Sequence, residues 1–132
     1  MKVLIIGLGS IASKHISALK IIESNTEFYA FRSCANANFV EGVTNIFSMN
    51  ELENISFDFA IISNPTSEHK KSIESLIPKN IPLFIEKPLF SELGNEQILK
   101  EIKNKNITTY VACNLRFLEC LQFVKDFIKD KR

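Results

Sequence analysis

The chain opens on Met1-Lys2-Val3-Leu4-Ile5-Ile6-Gly7-Leu8-Gly9-Ser10-Ile11-Ala12, and no other stretch restricts the fold as much. Val3 to Ile6 is an apolar run without polar alternation, which predicts a parallel strand buried on both faces. Ala12, Ile16, Leu19 and Ile22 then recur at helical spacing, which predicts an amphipathic helix directly after the glycines. Strand, glycine turn and helix form the context in which G-x-G-x-x-G/A reads as a dinucleotide-binding fingerprint. Gly7 permits the tight turn, Gly9 lets backbone N–H groups approach a pyrophosphate, and Ala12 is small enough for helix and strand to pack. The helix start adds its positive dipole end and free N–H donors.

Glu27 to Arg32 predicts a second strand, which completes a βαβ unit of about 30 residues. At the end of this strand an NAD-using protein places a carboxylate that accepts hydrogen bonds from the adenosine ribose. This chain has Arg32 and Ser33 there, and its next carboxylate is Glu41. A guanidinium cannot accept those bonds but suits a phosphate, and Ser33 adds a hydroxyl donor. NADP is therefore expected over NAD, with an ordinary solvated arginine at a strand end as the plain alternative.

Residues 34–41 form a polar connection, and Val43 to Phe47 predicts a short third strand. Ser48, with Glu51 three residues on, has the pattern of a capped helical turn. Asp58 to Ser63 is a second apolar strand, ending in Asn64-Pro65-Thr66. Strand ends of a doubly wound sheet line the ligand crevice, so Asn64 and Pro65 either border a ligand or simply make a turn. Thr66 or Ser67 is expected to cap a helix whose inner face is Ile73, Leu76 and Ile77. His69, in its first turn, reads as a packing or capping residue rather than a reactive one.

Ile81 to Ile85 predicts a fifth strand, closing in Glu86-Lys87-Pro88-Leu89. Pro88 stops the strand and leaves the charged pair at the crevice. Lys87 could hydrogen-bond a substrate hydroxyl and relay its proton; a surface ion pair of Glu86 and Lys87 is the alternative. Ser91 is expected to cap a polar helix reaching Asn104, and Thr108 to Cys113 predicts a sixth strand with Asn114-Leu115-Arg116-Phe117 at its end. Leu118, Leu121, Val124, Phe127 and Ile128 share one face of a last helix, which runs to the basic Lys125, Lys129, Lys131 and Arg132.

With 132 residues the chain is long enough for one domain with a real core. A net charge of +1 argues against a dedicated nucleic-acid or membrane-surface protein. No apolar run approaches the ~20 residues of a membrane span, and the start lacks the pattern of a signal peptide. Cys34, Cys113 and Cys120 show neither C-x-x-C nor metal spacing, so no metal site is expected. Reduced thiols in a cytoplasmic protein are the simplest reading.

Three motifs stand in order, each after an expected strand: Gly7-Leu8-Gly9-Ser10-Ile11-Ala12-Ser13-Lys14-His15, Glu86-Lys87-Pro88-Leu89 and Asn114-Leu115-Arg116-Phe117. Together they resemble the glucose–fructose oxidoreductase / inositol dehydrogenase (Gfo/Idh/MocA) oxidoreductases, in their N-terminal nucleotide-binding domain only. The resemblance implies an α/β Rossmann-type, doubly wound, mostly parallel sheet of about six strands with helices on both faces. It implies a dinucleotide domain over residues 1–117 and a terminal helix over 118–132 leading toward the family's second, substrate-binding domain. That second domain is absent here, and a fragment of a longer protein is the favoured explanation.

By the same resemblance, Gly7, Gly9, Ser10 and Ile11 contact the pyrophosphate, and Arg32 and Ser33 the adenosine ribose or its phosphate. Asn64, Pro65, His69, Glu86 and Asn114 border the cofactor. Lys87 touches the substrate hydroxyl and assists proton transfer, Arg116 lies at the nicotinamide and substrate edge, and His15 packs or braces the glycine turn rather than reacting. The implied whole is a homo-oligomeric NADP- or NAD-dependent oxidoreductase acting on a sugar- or polyol-like compound. A non-catalytic dinucleotide-binding module is the competing expectation, and a fold for S-adenosylmethionine is a third.

Overall fold

Six strands build one sheet: Lys2–Ile6 (β1), Glu27–Phe31 (β2), Val43–Ile46 (β3), Phe59–Ile62 (β4), Leu83–Glu86 (β5) and Thr109–Ala112 (β6). Their order is β3-β2-β1-β4-β5-β6, and every neighbouring pair is parallel. The computed structural model describes residues 1–34 and 39–129. Half of the expected polar connection over 34–41, together with Lys131 and Arg132, lies outside the described residues. Parallel neighbours need crossovers, and those from β1 to β2, β4 to β5 and β5 to β6 carry Ser10–Ile22 (α1), Thr66–Leu76 (α2) and Glu96–Asn104 (α3).

The sheet is buried on both sides because its strands alternate between two apolar layers. Leu4, Ile6, Ala60, Ile62, Leu83 and Ile85 pack with Ile73 and Leu76 of α2 and Ile98 and Ile102 of α3. Val3, Ile5, Phe28, Ala30 and Ile61 pack with Ala12 and Ile16 of α1 on the opposite face. This is a Rossmann-type doubly wound fold. Its strand order reverses between β1 and β4, and ligands of such sheets bind at that switch point, beyond the strands' carboxyl ends.

Several local expectations are corrected. Ile22, at the end of the α1 pattern, is 78% exposed and is not part of its inner face. Arg32 lies just beyond β2 rather than in it, although its N–H still donates to the Ile46 carbonyl. Pro65, not Thr66 or Ser67, occupies the N-cap of α2, and no side chain caps that end. The helix expected from Ser91 starts instead at Glu96. Gly94, at φ +86°, turns the chain the wrong way for a helix, and the Asn95 amide donates to the Glu92 carbonyl at 2.8 Å. β5 begins at Leu83 because Pro82 has no N–H, while its carbonyl accepts from the Ala60 N–H.

Ser48 is not an N-cap either. The turn is a 3-10 segment over Asn50–Leu52 with Met49 before it, and Glu51 supplies the closing bonds. Its carboxylate accepts from the Ser48 hydroxyl and N–H, each at 2.8 Å, and from the Phe47 N–H at 3.2 Å. The Ser48 hydroxyl bond, followed by the backbone donors, holds the Glu51 carboxyl below the ordinary glutamate range. A lowered value means that the clasp is complete above the unfolded pKa and is lost as pH falls through the folded one. In an NMR titration the Phe47 and Ser48 amide resonances should therefore move with a midpoint below that of a free glutamate. The same titration of Glu51→Gln should leave them still.

The terminal helix, Glu119–Lys129 (α4), has no buried residue. Leu118, Leu121, Val124, Phe127 and Ile128 stand about half exposed, so this face does not fold back over the sheet.

Candidate functional site

The turn after β1 is built by two glycines that do different work. Gly7 has φ +91°, and a Cβ there would lie 2.4 Å from both Cα and N of Asn64. Its lack of a side chain lets the β4 turn close against the β1 turn. The Ser63 hydroxyl reinforces the junction by donating to the Gly7 carbonyl at 2.9 Å. Gly9 is the N-cap of α1, no side chain caps that end, and a Cβ at Gly9 would meet no atom within 4 Å. The space beside Gly9 is open, and the uncapped first turn of α1 faces it with unpaired N–H groups.

Two clefts lie along this crevice. The first, of about 570 Å³, is bordered by Gly7, Phe31, Ser33, Met49, Asn64 and Pro65, with Glu68, Lys71, Ser72 and Ser75 of α2. The Asn64 amide donates to the Ser72 hydroxyl at 2.9 Å, while its Oδ1 is buried without a partner. Arg32 does not line this cleft, but its Nη1 is likewise buried and unpaired. A buried donor and a buried acceptor without partners are what a phosphorylated nucleoside could satisfy.

The second cleft, of about 400 Å³, lies on the α1 side of β5 and β6 and is lined by Ile11, His15, Phe84, Glu86, Lys87, Tyr110, Ala112, Asn114 and Phe117. Register explains the grouping: Phe84 is beside Tyr110 and Glu86 beside Ala112 on one face of the sheet. Phe84 and Tyr110 stack at 5.6 Å, and the His15 ring meets Phe84 edge-on at 5.1 Å. His15 Nε2 lies 2.6 Å from Glu86 Oε1. The carboxylate can only accept, so the ring carries its proton on that nitrogen. The alternative of a Glu86–Lys87 ion pair is not what forms: Glu86 pairs with His15, and Lys87 has no ion-pair partner among the described residues.

Of the residues singled out from sequence, Gly7, Ser33, Asn64 and Pro65 meet at the first cleft, and Ile11, Glu86, Lys87 and Asn114 at the second. Gly9 and Ser10 start the helix between them. Arg116 lines neither cleft and rests over the Phe117 ring at 5.7 Å. His69 also lines neither: it is 1% exposed, with both ring nitrogens facing backbone carbonyls. Glu68, Lys71, Ser72 and Ser75 are absent from the candidates read from sequence, although their helical spacing marks one polar face of α2. Tyr110, Phe84 and Phe117 carry no such signal, because aromatic residues in and after strands read as core.

Residues 1–112 match the sequence model of the Gfo/Idh/MocA group, an oxidoreductase family with an NAD-binding Rossmann fold. No curated protein matches the sequence. Among solved structures, the WlbA dehydrogenase of Chromobacterium violaceum, in complex with NADH and UDP-GlcNAcA, superposes with a TM-score of 0.86 at 18% identity. That match covers 100% of this chain and 40% of the other. Scyllo-inositol dehydrogenase of Lactobacillus casei, with bound NAD(H) and scyllo-inositol, gives 0.80 at 20% identity, over 98% and 41% of the two chains. A protein of Desulfitobacterium hafniense provisionally assigned as an NADPH-dependent oxidoreductase gives 0.81 at 21%, over 98% and 39%. At these identities the likeness is one of fold, and the chain spans about two fifths of the length of these structures. On the family match over residues 1–112, the chain belongs to the Gfo/Idh/MocA oxidoreductases and comprises their NAD-binding Rossmann fold.

Proposed function

We propose that this chain is the cofactor-binding part of an oxidoreductase that moves hydride between a nicotinamide dinucleotide, NADP(H) preferred, and a sugar- or polyol-like hydroxyl or carbonyl compound. The observation that carries the reading is the pair of clefts flanking the Gly7–Gly9 turn, with Lys87 in the second free of any ion pair among the described residues. The ligands named for the WlbA and scyllo-inositol dehydrogenase structures support the substrate class.

The dinucleotide, when bound, supplies the hydride donor or acceptor at its nicotinamide ring. The residues of this chain hold and orient it. The Gly9 backbone and the first turn of α1 receive the pyrophosphate. Ser33, at the border of the first cleft, and the guanidinium of Arg32, the residue before it, receive the ribose phosphate of the adenosine half. Asn64 and Pro65 border that half, and Glu86, fixed by His15, borders the other together with Asn114. Lys87 donates a hydrogen bond to the substrate oxygen and takes up or returns its proton as the carbon changes oxidation state. Positioning is the domain's main contribution, because the redox chemistry belongs to the cofactor.

Of the three structures described above, two are named with NADH or NAD(H) and one is assigned to NADPH. Arg32 is the reason for preferring NADP(H) here. Calorimetric titration of the 132-residue chain should give NADPH binding at least about tenfold tighter than NADH, and Arg32→Ala should erase most of that difference. Equal or tighter NADH binding would remove Arg32 from the argument and keep the dinucleotide. Binding of neither would remove the reading itself.

A further inference from the structure

We propose that His69 is a positioning residue that fixes the Lys87–Leu89 turn relative to Asn64, so that the two halves of the site act on one ligand together. The ladder between β4 and β5 ends at Ile62 and Ile85. Beyond it the two chains leave as separate turns, one forming the wall of the first cleft and the other presenting Lys87 to the second. The His69 imidazole lies between these turns. Its Nε2 is 3.0 Å from the Asn64 carbonyl, and its Nδ1 is 3.1 Å from that of Pro88 and 3.3 Å from that of Leu89.

One end of this tether is anchored, and the other is joined to Lys87. On the first side, Asn64 packs against Gly7 so closely that no Cβ fits, and its amide is held by Ser72. On the second, Pro88 follows Lys87 directly in the chain. A continuous set of contacts therefore runs from the phosphate-facing turn, through Asn64 and His69, to Lys87. The ring is buried among backbone carbonyls and in its neutral form donates from one nitrogen while packing through the other, so its removal leaves a buried acceptor without its donor and the two turns without their common contact. Reacting groups tolerate little displacement, which is why a residue that touches no ligand can still set the site.

The affinity part of this inference rests on the dinucleotide reading above; the mobility part does not. The test uses the 15N-labelled 132-residue chain and two variants, His69→Gln and His69→Asn. Gln can place its amide nitrogen near the Nε2 position and keep the Asn64 contact, and Asn near Nδ1 and keep the Pro88 side. Each variant therefore retains one half of the tether and some of the packing, and either one suffices if the other does not fold.

In the folded variant, the backbone order parameters of Lys87 and Leu89 should fall from about 0.85 to below about 0.6, while Ile5 and Ile61 stay rigid. NADPH should bind about tenfold more weakly, and 2′,5′-ADP, which occupies only the adenosine half, within about twofold of the original chain. Unchanged order parameters at Lys87 and Leu89 would overturn the proposal. A drop spread evenly over the strands, or equal weakening of NADPH and 2′,5′-ADP, would reduce His69 to general packing and overturn it too. If the original chain binds neither ligand, the dinucleotide reading falls, and the order parameters alone decide the tether.

Discussion

Gly7→Ala should cost this domain at least about 3 kcal/mol, lowering its melting temperature by roughly 10 °C or more. Two independent penalties combine at this position. The backbone sits at φ +91°, where an L side chain is strained, and the new Cβ would fall 2.4 Å from Asn64 Cα and N. The second penalty is the larger, because those atoms are backbone at the end of a central strand. They cannot yield without moving β4 against β1. Gly9→Ala is the matched contrast. With φ −104° and no atom within 4 Å of the added methyl, it should melt within a few degrees of the original chain. On the proposed reading its loss should appear in dinucleotide binding, because the methyl would occupy the space assigned to the pyrophosphate. Differential scanning calorimetry with and without cofactor separates the two glycines. Equal melting temperatures for both variants would contradict the Asn64 contact.

Lys87→Met should lower kcat by about 10²–10⁴-fold in the assembled enzyme, with cofactor affinity changed by no more than about twofold. Methionine keeps most of the unbranched stem but has no donor and no proton to move. Lys87 lines the second cleft and makes no ion pair among the described residues, so its removal breaks no partner. The effect should lie in turnover rather than in folding. A solvent isotope effect that vanishes in the variant would mark the lost proton step. Retained turnover would remove Lys87 from the mechanism and leave the second cleft as a binding surface. His15→Ala, by contrast, frees Glu86 without touching the lysine, and so distinguishes orientation of the carboxylate from proton transfer.

The Rossmann-type sheet, the glycine turn and the presence of Lys87 at a strand end were legible from the residues alone, because each is written in local patterning. A strand buried on both faces must be apolar at every position, as Val3 to Ile6 are, and α1 must repeat its apolar residues at helical spacing, as Ala12 and Ile16 do. Helix ends were less legible. Ser91 and Thr66 are sound capping types, but Gly94 turns the backbone after Ser91 and Pro65 takes the N-cap position ahead of Thr66.

What only the tertiary structure decided are the meetings between distant residues. Gly7 is needed against Asn64, and His15 reaches Glu86 across 71 residues of sequence. His69 joins two turns, and a polar face of α2 becomes the wall of a cleft. None of these is encoded in a window of neighbouring residues. Each exists because the crossovers set β4 beside β1 and β5 beside β4, so that the order of strands, rather than the identity of any one of them, chooses which side chains face one another.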